Sequence, residues 1–172
     1  MLTPLARRTF APCGKTPIQK CWARHGRISV ISAVTVSPRR GRLGLYFRLL
    51  PENTGAKAVD TVSFLRQLRR SLRGPLTICW DRSRIHDTSL VVREWLSKHP
   101  EVQTVKFPGY APELNPDEYV WSHAKYASLC NYAAPSLPVL GQKVFETLQG
   151  LRNRRDLLQS FVDHAHLNWN SD

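Results

Sequence analysis

Two carboxylates stand where a sheet covered by helices could bring them into one crevice. Asp81 directly follows the short apolar run Leu76 to Trp80 (LTICW), and Glu118 falls in the first turn of a helix that opens at NPDEYVW. An acid at the carboxyl end of a central strand and an acid at the start of a later helix can converge in the crevice beyond the strand ends. Such a pair offers oxygen ligands to a hard divalent cation, Mg²⁺ or Mn²⁺, which keeps open positions for water and phosphate. Each acid also has a plainer reading. Asp81 could satisfy the amides of a strand-end turn. Asn115, Pro116 and Glu118 fit an N-cap, a first-turn proline and an N3 acid, so Glu118 could instead close a capping box. Spacing alone leaves both readings open.

Other reactive side chains are scattered. Cys13, Cys21, Cys79 and Cys130 contain no CxxC pair, which argues against a zinc site or a disulfide scaffold and fits a reducing cytoplasm. His86, His123, His164 and His166 share no metal-ligand spacing with a cysteine or an acid. Trp121 reads as core rather than as a base-stacking platform, because large aromatics in helices normally bury area.

The elements that must carry these residues are legible from periodicity. Residues 1–26 are punctuated by proline and glycine, show no regular period, and read as a basic arm; residues 27–172 read as the folded domain. Two β-branched runs, Arg27 to Val36 and Leu43 to Leu50, flank SPRRGR and predict an antiparallel hairpin. A helix is expected from Ala56 to Leu72, with Val59, Val62, Leu65, Leu68 and Leu72 as its apolar stripe. The strand LTICW follows, then a helix from Asp87 or Thr88 to about Lys98 with Val91, Val92, Trp95 and Leu96 inward. A strand from Val102 to Phe107, a helix from Asn115, and helices over Pro138 to Leu151 and Arg154 to His166 complete the order. This predicts an α/β fold, a mixed sheet with helices on its faces.

Charge points to a polyanion. The net charge is +12, and residues 1–51 hold ten Lys or Arg and no Asp or Glu, whereas the remaining 121 residues carry 15 basic against 13 acidic side chains. Lysines and arginines that neutralise phosphates release condensed counterions, so DNA or RNA is the expected partner. The best apolar run, Ile28 to Val36, is interrupted by Ser29 and Ser32 and falls far short of the roughly 20 residues that span a bilayer, so no membrane partner is expected.

Three segments resemble signature blocks of the DDE transposases of the IS630/Tc1-mariner family. WDRSRIHDT is similar to the family's strand-end Asp with a His five residues later, here Asp81 and His86. PGYAPELNPDEYVW is similar to its P-x-Y-S-P-E-L-N-P-x-E-x-x-W stretch, with the acid at Glu118, and 36 residues lie between the two acids. RRTFAPCGKTP resembles the segment between the family's first two strands. The resemblance implies an RNase H-like fold and a site in which carboxylates, Asp81 and Glu118 among them, bind two Mg²⁺ or Mn²⁺ ions for cleavage and strand transfer in DNA transposition. It implies transposon-end and target DNA as partners, a homodimer for full-length members, and a cytoplasmic, nucleoid-associated protein. Arg7, Arg8, Lys15, Arg39, Arg40, Arg42, Arg82 and His86 are the expected DNA-binding residues.

The departures concern activity. Arg82 replaces the usual Asn, Ala111 a Ser, and Asp117 occupies a commonly aliphatic position from which it could confuse or supplement Glu118. The family's first Asp lies in a D-E pair just ahead of the segment matched by RRTFAPCGKTP, and no acid precedes Glu52 here. Asp60 belongs to a helix. The expectation is therefore a domain lacking its first strand, inactive alone unless an upstream transposase fragment supplies that acid, or a non-catalytic remnant that only binds DNA or a partner.

Overall fold

The computed structural model describes residues 10–15, 26–37 and 40–166. Its first elements are strands β1 (Val30–Ser37) and β2 (Arg42–Leu49), which pair antiparallel from Val30 opposite Leu49 to Ser37 opposite Arg42. Helix α1 (Ala58–Leu72) then crosses to β3 (Leu76–Trp80), and β3 pairs in parallel with β4 (Val102–Lys106). Between those two strands lie a single-turn helix α2 (Arg84–Asp87) and helix α3 (Leu90–Ser97). The chain closes with α4 (Pro116–His123), α5 (Leu137–Arg152) and α6 (Arg155–His164). One turn of 3₁₀ helix precedes α4, and a π-helical turn over Ala124–Ser128 extends it.

The fold is the expected mixture of strands and helices, with its hydrogen bonding divided. Among the described residues the strands form two separate pairs, so β1 and β3 each keep one edge with no strand beside it. Each pair has its own apolar cluster. Leu45 of the hairpin packs with Val120 of α4, Val144 and Leu148 of α5 and Leu158 of α6, all fully buried. The parallel pair is covered by Val62 and Leu65 of α1 and Val92 and Trp95 of α3, which close over Val102. At roughly 1.5–3 kcal/mol for each large apolar side chain removed from water, these clusters fix the helices on the strands. Arg48 of β2 donates to Ser63 Oγ of α1 at 2.7 Å and ties the hairpin to the crossover helix.

Several local expectations shift. Val59 is exposed, and the buried face of α1 is Thr61, Val62, Phe64, Leu65 and Leu68. The helix expected from Asp87 or Thr88 begins at Leu90, and Asp87 instead ends the separate single-turn α2 and pairs with Lys106 of β4. Val91 is exposed while Val92 and Trp95 face inward. Strand LTICW is only partly buried, consistent with its open edge.

Candidate active site

Asp81 sits one residue beyond the carboxyl end of β3 and is held by its own loop. Its Oδ1 accepts the Ser83 N–H at 2.9 Å, which closes a strand-end turn. His86, on α2, brings Nε2 to 2.8 Å from both Asp81 Oδ1 and the Asp81 carbonyl oxygen. Both neighbours are acceptors, so the nitrogen facing them must carry the proton. The imidazole also stacks on Trp80, with ring centroids 4.6 Å apart. A side chain clamped by a hydrogen bond and a ring stack cannot rotate freely, and Asp81 is thereby aimed while its side chain stays 67% exposed. The turn-amide role and an exposed carboxylate coexist here: one oxygen is engaged and the other is open.

The floor beneath Asp81 is fastened to β4. Phe107 N–H donates to the Trp80 carbonyl at 2.9 Å, continuing the parallel pairing past the strand ends. Arg82 Nε donates to the Phe107 carbonyl at 3.3 Å. The Arg that stands at the family's Asn position thus pins two strand ends together. Lys106 forms an ion pair with Asp87, and its hydrogen bond and charge hold that carboxyl below the usual aspartate range.

Glu118 is exposed on α4, at the position where an N3 acid would cap the helix. The helix is capped otherwise. Asn115 Oδ1 accepts the Asp117 N–H at 3.1 Å, and the Asn115 N–H goes to the Pro112 carbonyl at 3.0 Å, so Glu118 closes no capping box. Its carboxylate remains available.

Asp117 points the other way. Its Oδ2 accepts from Ser32 Oγ of β1 at 2.7 Å and from Trp121 Nε1 at 3.0 Å, and its Oδ1 is buried with no partner among the described residues. Burial pushes the carboxyl up to about 6, against the hydrogen bonds from Ser32 and Trp121 that favour its charged form. Adjacent helix residues point about 100° apart, so Asp117 inside and Glu118 outside follow from one another. Sequence reasoning missed this inward carboxyl because its partner Ser32 lies 85 residues away.

The donor chemistry of Asp81 and Glu118 suits a hard divalent cation, each offering carboxylate oxygen at the surface. Among the described residues no three His, Cys, Asp or Glu side chains are grouped closely enough to hold a metal ion. Asp60 accepts the Lys57 N–H at 2.9 Å and serves the start of α1. Of the residues expected to meet DNA, Lys15, Arg40 and Arg42 are exposed, with Arg40 and Arg42 at the hairpin tip. Arg7, Arg8 and Arg39 lie outside the described residues. No helix among the described residues is long and apolar enough to cross a membrane.

Comparison with known proteins agrees with this frame. Solved structures with the same fold include the Mos1 mariner paired end complex with Mn, at 14% identity and a TM-score of 0.62, covering 95% of this chain and 49% of that one. The Mos1 strand transfer complex matches at 15% identity and a TM-score of 0.56, over 97% of this chain and 52% of that one. The catalytic domain of Mos1 mariner transposase matches at 15% identity and a TM-score of 0.50, over 83% of each chain. The chain therefore spans about half the length of the Mos1 chains in the complexes. None of the curated proteins compared with it matches its sequence. The family model described as "DDE superfamily endonuclease" matches residues 2–137, and the chain belongs to that family.

Proposed function

We propose that the chain is the DNA-cutting domain of a transposase of the IS630/Tc1-mariner kind, acting on transposon ends and target DNA. The observation that carries this reading is an exposed, aimed Asp81 at the end of β3 together with an exposed Glu118 at the start of α4, in a chain of the DDE endonuclease family. Asp81 and Glu118 would hold Mg²⁺ or Mn²⁺, and the ion when bound supplies charge stabilisation at the phosphate and an activated water. The residues of the chain orient the acids: His86 and Ser83 fix Asp81, and Asn115 with Asp117 fixes the helix that carries Glu118.

A third carboxylate is needed to offset the charge of two divalent ions, and we assign it to a strand outside these 172 residues. The open strand edges support this assignment. Among the described residues β1 and β3 each keep an open edge; β1 adjoins α4 through Ser32 and Asp117, while β3 ends one residue before Asp81.

The test is nicking of supercoiled DNA carrying a transposon end, in Mn²⁺, by the chain alone and by the chain fused to a preceding strand that ends in Asp-Glu. Nicking only by the fusion is expected. Strong nicking by the chain alone would overturn the third-acid assignment. A second reading, a domain that binds DNA without cutting it, is favoured by the ungrouped acids, and it would stand if the fusion bound DNA but stayed inactive.

A further inference from the structure

The basic residues of α1 form a surface of their own. Arg66, Arg69 and Arg70 of α1, with Arg73 at its C-cap, fall at i, i+3, i+4 and i+7, which places the three helical arginines on one side; Val62 and Leu65, four residues before Arg66 and Arg69, adjoin that side. Like charges at this spacing repel one another, so the stripe opposes helix formation unless anions meet it. One carboxylate does so in part: Glu101 accepts from Arg69 at 2.6 Å, while across the groove Glu94 pairs with Lys98 at 2.7 Å. Arg66, Arg70 and Arg73 have exposed side chains with no hydrogen bond or ion pair to any described residue.

The stripe forms one wall of a groove of about 440 Å³, and α3 supplies the other through Val91, Trp95 and Lys98. A second hollow of about 490 Å³ continues it past Arg70 and Arg73 to Pro75 and Glu101. Together they are lined by four arginines and one lysine against two glutamates. Arginine presents a planar fork of donors that matches phosphate oxygens, and Val91, 46% exposed within this basic surface, offers an apolar contact of the kind a deoxyribose makes.

The groove is remote from the acids. Pro75 precedes β3 and Glu101 precedes β4, whereas Asp81 and Phe107 follow the two strands, and a five-residue strand is about 16 Å long. The groove and Asp81 therefore lie at opposite ends of the parallel pair.

Resting on the DNA-cutting reading above, we propose that the arginine stripe of α1 with Lys98 is a second DNA-backbone surface, which grips phosphates of a duplex segment away from the cleavage site without reading its sequence. The occupant is a phosphodiester backbone rather than an acidic protein, because the free cations run along the helix axis as a row, as the phosphates of a strand do.

The test is fluorescence anisotropy with a random-sequence duplex at a series of salt concentrations, comparing the 172-residue chain with Arg66→Gln/Arg70→Gln. Both residues are exposed and unpaired, and their removal relieves like-charge repulsion, so a circular-dichroism melt should be no lower than that of the parent chain. Loss of two phosphate contacts should lower the slope of log affinity against log salt by about 2 and weaken binding several-fold at low salt. Unchanged affinity and slope in the variant would overturn the proposal while leaving the parent chain's DNA binding intact. An effect confined to an acidic polypeptide, with duplex affinity retained, would overturn it too. A parent chain that binds no duplex at all would overturn both this proposal and the DNA-cutting reading.

Discussion

Ser32 of β1 and Asp117 of α4 meet through a 2.7 Å hydrogen bond across 85 residues of sequence, and that bond fixes the helix bearing Glu118 onto the hairpin. Removing the donor leaves an enclosed carboxyl with fewer partners, which costs about 1–3 kcal/mol. Ser32→Ala should lower the stability measured by urea unfolding by that amount, and Ser32→Thr should restore most of it. Equal stability of Ser32→Ala and the parent would show that the bond contributes nothing.

His86 contributes through Asp81. With the imidazole gone, Asp81 loses its ring-backed anchor and the strand end loses the stack on Trp80. Hydrogen-bond partners of metal-ligating groups typically affect metal affinity by 10–100-fold. In the acid-supplemented protein, His86→Ala should raise the Mn²⁺ concentration for half-maximal nicking by about tenfold, with much of the rate recovered at saturating metal. His86→Gln retains a donor and should fall between the two. A rate loss that no Mn²⁺ concentration relieves would contradict the positioning role.

The ion pair of Asp87 with Lys106 ties α2 to the end of β4. The lysine's hydrogen bond and charge depress the Asp87 carboxyl below its ordinary value, so the unfolded chain binds a proton more readily than the folded one. The stabilisation is fully present above the unfolded value near 3.9 and is lost as pH falls through the lower folded value. Asp87→Asn should therefore melt below the parent at pH 7, and the two should converge in acid. A difference in melting temperature that persisted unchanged below pH 3 would rule out this linkage.

The local elements were readable because each rests on short-range pattern. The hairpin runs, the α1 period and the LTICW strand all declare themselves within about fifteen residues, and the described strands begin and end within three residues of expectation. Asn115 and Pro116 likewise mark the start of α4. What escaped depends on partners distant in sequence. Asp87 could not be recognised as the end of one helix rather than the start of another without Lys106. Nor could Asp117 be seen as a buried acid without Ser32. Val59, in the first turn of α1, falls on the expected apolar stripe and is nevertheless exposed. The two candidate acids were found by their placement at the end of a strand and the start of a helix, whereas the clamp of His86 on Asp81 is a three-dimensional fact that spacing only suggested.

On the proposed function, Asp81 and Glu118 belong to one metal-dependent site and Asp117 does not. This is tested by Mn²⁺-dependent nicking of end-containing DNA by the acid-supplemented protein and its Asp81→Asn, Glu118→Gln and Asp117→Asn variants, each first shown to fold and bind duplex. Losing a metal-binding carboxylate should reduce cutting by at least about a hundredfold for Asp81→Asn and for Glu118→Gln, since each removes charge stabilisation of several kcal/mol. Asp117→Asn should cut within a few-fold of the parent. Full activity without Asp81 or without Glu118, or loss confined to Asp117→Asn, would contradict the account.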